Sequence, residues 1–463
     1  MKSAIRFSLF AILLAGLVTL SRAQSDQEPD PAPAKALDNV TIHLSDGRTV
    51  SSGTVVWRDG ILVAVGRRVE IPFDAFVIDG GDSLHVYPGF VDGLALWGSP
   101  DLPESYETPE RPGEPGYERA GIQSHRQPSD LLKTGDRDLV TAQKTGFTTA
   151  VLGLKGQMLP GQLDLFFLNG EQTGDHLYRE SLALHAQFEE APGSFGNGAY
   201  PATLMGIMAE LRQLWYDATA LKTQAAYYAS SSDNYPAPDK DEVLESLFPV
   251  IDGEQPLYFV VDTRENIERL FWLKDELGFD LVIVSGREAH EQTDELARRN
   301  IPVLASIDLP EKPEWKVKQE EAAESKEEPE PELEEVTEEM RIFRVKQLAA
   351  YRSSLENIHS LLEAGVKVGY SSNGMDLGDF HEKITALIEE TEITEREVLA
   401  MLTRNTADIL GEGSRLGDLQ KGKIASFSVF TKPFSEENSK VKYSVSNGKI
   451  TEFELEESNS TKE

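Results

Sequence analysis

Cysteine is absent from all 463 residues. That excludes disulfide staples, a thiol nucleophile, thiolate metal sites and a lipid anchor carried on an N-terminal cysteine, and it leaves core packing as what holds the chain together, which suits a large domain. Histidine is scarce: His43, His85, His125, His176, His185, His290, His359 and His381 show no His-x-His, His-x3-His or His-Glu-x2-His spacing. Bases are outnumbered, 45 Lys and Arg against 79 Asp and Glu, for a formal charge of −34 and a pI near 4.6. Such a surface repels phosphate backbones and anionic lipid, so nucleic acid is excluded as a partner and the charge reads as a solubility device. There is no Gly-x-Ser-x-Gly elbow and no phosphate-cradling glycine loop.

No apolar run reaches the ~20 residues that span a bilayer. The longest, Phe7 to Leu20, follows Lys2 and Arg6 and precedes Ser21-Arg22-Ala23, with small residues where a signal peptidase reads. The expectation is a signal peptide over residues 1–23, cleaved near Ala23, and a periplasmic or extracellular protein. Residues 24–37 include an Asp, Glu, Gln and Pro-rich stretch and read as a flexible leader; 457–463 read as a tail.

Beyond the leader the chain alternates short β-branched runs with Asp-Gly pairs. Val40 to Leu44, Gly53 to Trp57 and Ile61 to Val65 are separated by Asp46-Gly47 and Asp59-Gly60, a hairpin signature. The far end supplies matching strands in Ile424 to Phe430, Val441 to Val445 and Lys449-Ile450, the last two joined by Asn447-Gly448. Residues 38–86 and 412–456 therefore predict one composite sheet built from both chain ends.

Between them, residues 87–411 alternate strand-like and helix-like segments, the pattern of βα units and a parallel sheet. After an opening strand at Tyr87 to Leu96, strands are expected at 148–152, 163–168, 182–188, 257–261, 281–284, 302–306 and 366–370, eight in all. Helices are expected at 204–226, 264–277, 287–299 and 341–364. A (β/α)8 barrel and a doubly wound open sheet both satisfy this grammar. Glu320 to Glu339 breaks it: Lys326 is its only base and Pro329 and Pro331 interrupt any helix. Residues 311–340 read as an acidic disordered insertion after the seventh strand.

Several stretches carry a resemblance. Tyr87-Pro88-Gly89-Phe90-Val91-Asp92, Gly116 to Ile122, Lys144 to Ala150, Tyr200 to Gly206, Leu399 to Gly411 and Gly417 to Ala425 fall in order and at sensible spacing. Each is weak alone; together they resemble the amidohydrolase superfamily, its imidazolonepropionase-like branch. The resemblance implies an α/β fold, a TIM-type (β/α)8 barrel with a small β-sandwich made by the chain ends. It also implies zinc or another divalent metal, held by His-x-His on strand one, often a Lys or Glu on strand four, a His each on strands five and six and an Asp on strand eight. That site hydrolyses non-peptide carbon–nitrogen bonds, cyclic amides among them.

This chain departs from that set at each step. The His-x-His places hold Leu94 and Leu96, which have no lone pair to offer. Strand five ends with Val260 or Asp262 at the ligand position, strand six with Ser285 or Gly286, and strand eight with Asn373, an amide that takes no proton from water. Lys155 follows an early strand and reads as a loop lysine. The expectation is a metal-free, catalytically inactive relative with no cofactor, whose barrel mouth binds a small molecule or an active amidohydrolase paralogue. Asp262, Arg264, Arg287, Asn373 and Asp376 are the candidate ligand-binding residues; oligomeric state is open. The alternative is an active hydrolase with a relocated site built from Asp262, Asp308, Asn373, Asp376 and His381, which requires those side chains to converge.

Overall fold

The computed structural model describes residues 32–133, 136–169, 176–193, 199–324, 337–436 and 438–455. The expected signal peptide, most of the leader, residues 325–336 of the acidic insertion and the tail lie outside the described residues.

The first sheet takes strands from both ends. β1 (Lys35–His43), β2 (Thr49–Arg58), β3 (Ile61–Gly66), β4 (Phe76–Asp79) and β5 (His85–Pro88) come from the N-terminal side. β14 (Phe427–Phe430), β15 (Val441–Ser446) and β16 (Lys449–Glu452) come from the C-terminal side, in the order β16-β15-β14-β5-β1-β2-β3 with β4 beside β1. The sheet curls over a core in which Trp57 meets Phe427 edge-on at 5.1 Å, and the Trp57 indole donates to the Gly448 carbonyl at 3.1 Å. β1 begins at Lys35, inside the stretch expected to be a flexible leader.

The opening strand is shared between two sheets. β5 belongs to the composite sheet and β6 (Phe90–Ala95) to the barrel, with the break at Gly89. There the backbone passes so close to β7 (Phe147–Leu152) that a Cβ on Gly89 would lie 2.0 Å from Thr148 Oγ1, so only glycine fits.

The second sheet follows in chain order with β8 (Gly161–Phe167), β9 (Leu177–Gln187), β10 (Leu257–Val261), β11 (Leu281–Ser285), β12 (Val303–Ala305) and β13 (Val368–Tyr370). Its ends meet. The Ser371 hydroxyl donates to the Leu94 carbonyl at 2.7 Å, and the Asn373 N–H donates to the same carbonyl at 3.0 Å. Gly93 lets this seam form: a Cβ there would sit 2.9 Å from the Tyr370 carbonyl and 2.5 Å from Leu304 Cδ2. Side chains alternate across the wall as a strand requires. Tyr258, Val282, Val284 and Leu304 pack inside, while Phe259, Ile283 and Val303 pack in the outer layer. Burial on both faces is why these strands read as continuous apolar runs.

Two expectations need correction. The sheet is not all parallel: β8 runs antiparallel to both β7 and β9. Its links, residues 153–160 and 168–176, are shorter than the dozen or so residues a parallel crossover needs. The acidic insertion is also structured at both edges, with helices at Glu314–Glu324 and Glu338–Leu355. Trp315 and Arg344, whose guanidinium lies 5.2 Å from the indole centroid, join these two helices. The long helix expected at 341–364 is divided into Glu338–Leu355 and Asn357–Glu363.

Candidate functional site

In a barrel of this kind the strand ends and the loops that follow them form the mouth where sites are built. Leu94 is fully buried in the inner core, among Val91, Leu163 and Leu304. Leu96 lies just above it and bridges the opening. A Cβ on Gly153 would meet Leu96 Cδ2 at 3.6 Å and His185 Nδ1 at 3.7 Å, and one on Gly374 would meet Leu96 Cδ1 at 3.9 Å. The leucine thus reaches from the end of β7 to the loop after β13. Val260 points inward and packs on the same cluster.

Ser285, at the end of β11, is buried and held at φ 74°, a left-handed conformation that costs an L residue free energy and that Gly286 at φ 56° continues. Asn373, at φ 37°, spends its backbone N–H on Leu94. These positions offer leucine, valine, a serine hydroxyl and an amide. None of these five is an imidazole or a carboxylate, and Asp262, the other strand-five candidate, is turned to Arg287, so the residues present do not fit a zinc-like ion. Among the described residues no group of three or more His, Asp or Glu side chains converges to hold one.

The remaining candidates divide into separate places. Asp262 and Arg287 approach at 3.8 Å, Arg287 reaches Asp308 at 2.8 Å, and Lys383 pairs with Asp308. The Lys383 ammonium bonded to Asp308 holds that carboxyl below its ordinary range. This half-exposed network links the ends of β10, β11 and β12 to the helix Phe380–Glu390. Arg264 is exposed, and its backbone N–H donates to Glu288 at 2.9 Å. Asp376 is exposed and caps a short turn through the Gly378 N–H at 2.8 Å. His381 lies elsewhere, 6.4 Å from the Phe430 ring of β14, with burial lowering its pKa. Asp262 and Asp308 come together through Arg287, whereas Asn373, Asp376 and His381 do not join them, and the relocated constellation is not assembled.

Two polar residues matter more than their sequence context suggested. Asp92 is fully buried behind Leu94 and accepts from the Leu94 N–H at 3.0 Å and the Ser372 N–H at 3.2 Å. Burial pushes its carboxyl up to about 7 against the pull of those bonds. It latches β6 to the loop leaving β13. His185 stands on β9 beside Tyr258 of β10. Neither of its ring nitrogens has a hydrogen-bond partner, nor has the Tyr258 hydroxyl. Burial pushes the imidazole down to about 4. A lone histidine in a sequence gives no signal of this; Asp92 sat in the opening motif and read only as part of a lead-in.

A barrel whose first strand is shared with a sheet made from both chain ends defines an amidohydrolase-type fold. Residues 315–451 match the Amidohydrolase family, a stretch that takes in β13 to β15 and most of β16. Among solved structures it is similar to an amidohydrolase from Thermotoga maritima MSB8, with a TM-score of 0.70 and 20% identity over 90% of this chain and 99% of that one. It also matches a Xaa-Pro dipeptidase with bound methionine in the active site (TM-score 0.48, 14% identity, 91% and 100% covered). A third match is A. niger ochratoxinase (0.48, 13%, 91% and 96%). No curated protein sequence matches the chain.

Proposed function

We propose that this chain is a metal-free, non-hydrolytic member of the amidohydrolase superfamily, exported after removal of its first 23 residues, whose barrel mouth binds a small molecule or an active amidohydrolase paralogue. What carries the reading is the packing of Leu94 and Leu96. Two apolar side chains stand where the resemblance places a pair of metal-binding imidazoles, and Leu94 is integral to the inner core. Hydrolysis of an amide at neutral pH needs an activated water, and a metal supplies it by lowering the pKa of bound water from 15.7 to about 7. Leu94, Leu96, Val260 and Asn373 offer nothing that would hold such an ion or take the proton.

The mouth keeps features that suit binding. Arg287 and Lys383 form a half-exposed ion-pair network with Asp262 and Asp308, and Ser285 and Asn373 hold strained backbone at the rim. Among the described residues no helix is long and apolar enough to cross a membrane. The deciding experiment is metal analysis of purified mature protein, together with turnover assays on cyclic amides and Xaa-Pro dipeptides. Less than a tenth of an equivalent of zinc, manganese or iron, and no turnover, is expected. A stoichiometric metal would overturn the reading.

A further inference from the structure

The outer side of the longest helix leaves an aromatic face open. The helix Leu204–Ser230 packs on the barrel through Ile207, Leu214 and Ala218, and residues 219–230 run on past the last of these with no fully buried side chain. On the opposite side Tyr216, Ala220, Thr223 and Tyr227 stand in one line at spacings of four, three and four, the seam spacing of paired helices. Tyr216 is 52% and Tyr227 54% exposed. The returning loop lays Tyr235 against Tyr227, ring centroids 5.4 Å apart, and closes a groove of about 480 Å³.

The face extends onto the next helix, Arg264–Leu277. There Trp272, 57% exposed, lies one turn before Glu276, which accepts from the Tyr216 hydroxyl at 3.1 Å and from Arg212 Nε at 2.8 Å. Exposed tyrosines and a tryptophan gathered in one patch are the side chains that anchor protein interfaces.

Charge and symmetry together say what fits. Charged residues make up 27% of the chain and leave it at −34, yet no charged side chain lines the groove. Two copies of an acidic chain can meet here without setting carboxylate against carboxylate. The line of side chains also reads the same from either end: large, small, small, large, at unchanged spacing. An antiparallel copy, turned about a two-fold axis level with the Leu221–Lys222 bond, sets Tyr216 opposite the partner's Tyr227 and Ala220 opposite the partner's Thr223. The small pairs at the centre let the helices approach and the aromatic pairs close both ends. A self-complementary patch of this kind is what an isologous contact requires. We propose that this face joins two copies of the chain into an antiparallel, two-fold dimer.

The test is the oligomeric state of the full mature chain, read by analytical ultracentrifugation. The wild type should be a dimer at micromolar concentration. Ala220→Arg keeps a good helix former at an exposed position and puts a cation at the centre of the contact, so it should sediment as a monomer; Thr223→Glu should do the same. Mixed in equal amounts, the two variants should regain a dimer, because the antiparallel arrangement sets the introduced cation of one chain against the introduced carboxylate of the other. Tyr227→Ala should weaken association by about thirtyfold, the scale of losing an interface anchor, and it decides alone if circular dichroism shows either charged variant unfolded. A monomeric wild type, a dimer unmoved by Ala220→Arg and Tyr227→Ala, or a mixture of folded variants that stays monomeric would overturn the proposal and leave the reading of the mouth untouched.

Discussion

Lowering the pH should destabilise this fold through one imidazole. His185 lies 2% exposed inside the barrel with no partner on either nitrogen, and burial pushes it from 6.5 down to about 4. The native state therefore holds it neutral while the unfolded chain protonates it near 6.5, so the unfolded state takes up the extra proton as pH falls. Its contribution is intact above 6.5 and is lost on the way to 4. Linkage between those two pKa values gives about 2 kcal/mol lost by pH 5 and about 3 kcal/mol by pH 4. Asp92 acts in the opposite sense over part of this range. Its carboxyl is raised to about 7, so its contribution is fully present below 3.8 and is lost as pH rises through 7. A titration of the wild type alone mixes the two. The informative quantity is the stability gap between His185→Leu and wild type, measured by urea unfolding followed by tryptophan fluorescence from pH 8 to 4. The gap should widen in favour of the leucine variant by about 3 kcal/mol toward pH 4. A gap that stays flat would refute the argument, because it would mean that the imidazole finds a partner in the native protein.

Placing histidine at both Leu94 and Leu96 should restore neither metal binding nor hydrolysis, since Val260, Ser285 and Asn373 still offer no matching ligands or base; stoichiometric zinc or turnover in that double variant would contradict the assignment of strand positions. The same variant should lose about 2–5 kcal/mol, because Leu94 is fully buried in an apolar cluster. Gly93→Ala should lower the melting temperature sharply, as its Cβ would be pressed against the Tyr370 carbonyl and Leu304 at the barrel seam. Thr406 is buried, accepts from the Tyr370 N–H at 2.8 Å and donates to the Met401 carbonyl at 2.6 Å. Thr406→Val leaves both without it, which should cost about 1–3 kcal/mol in a denaturant melt and speed amide exchange at Tyr370.

The strands were legible because they are buried on both faces; all eight expected segments overlap observed barrel strands. What the residues of β8 did not reveal is its direction, since Leu163, Leu165 and Phe166 look the same whichever way the strand runs, and only the shortness of its links carries the information. The mouth was legible as a set of departures: Leu94 and Leu96 are visible as missing imidazoles because the lead-in Tyr87 to Asp92 marks their places. The consequences of burial were not visible. His185 and His381 look alike in sequence, yet one is enclosed by apolar neighbours inside the barrel and the other rests against the composite sheet. Gln162 and Gln255 are 93 residues apart, and nothing in either neighbourhood announces that they meet.

The pairing of β5 with β14 has a consequence for the order in which this molecule can be completed. Residues 89–426 lie between those two strands, so as the chain is made its N-terminal strands must wait for nearly the whole barrel before the edge of β5 is covered. During that interval His85 to Pro88 presents unpaired backbone groups, an invitation to mispairing with another chain. That edge cannot be covered before Phe427 has been made, so a chain ending short of it would keep the outer edge of β5 open, while the complete chain buries it.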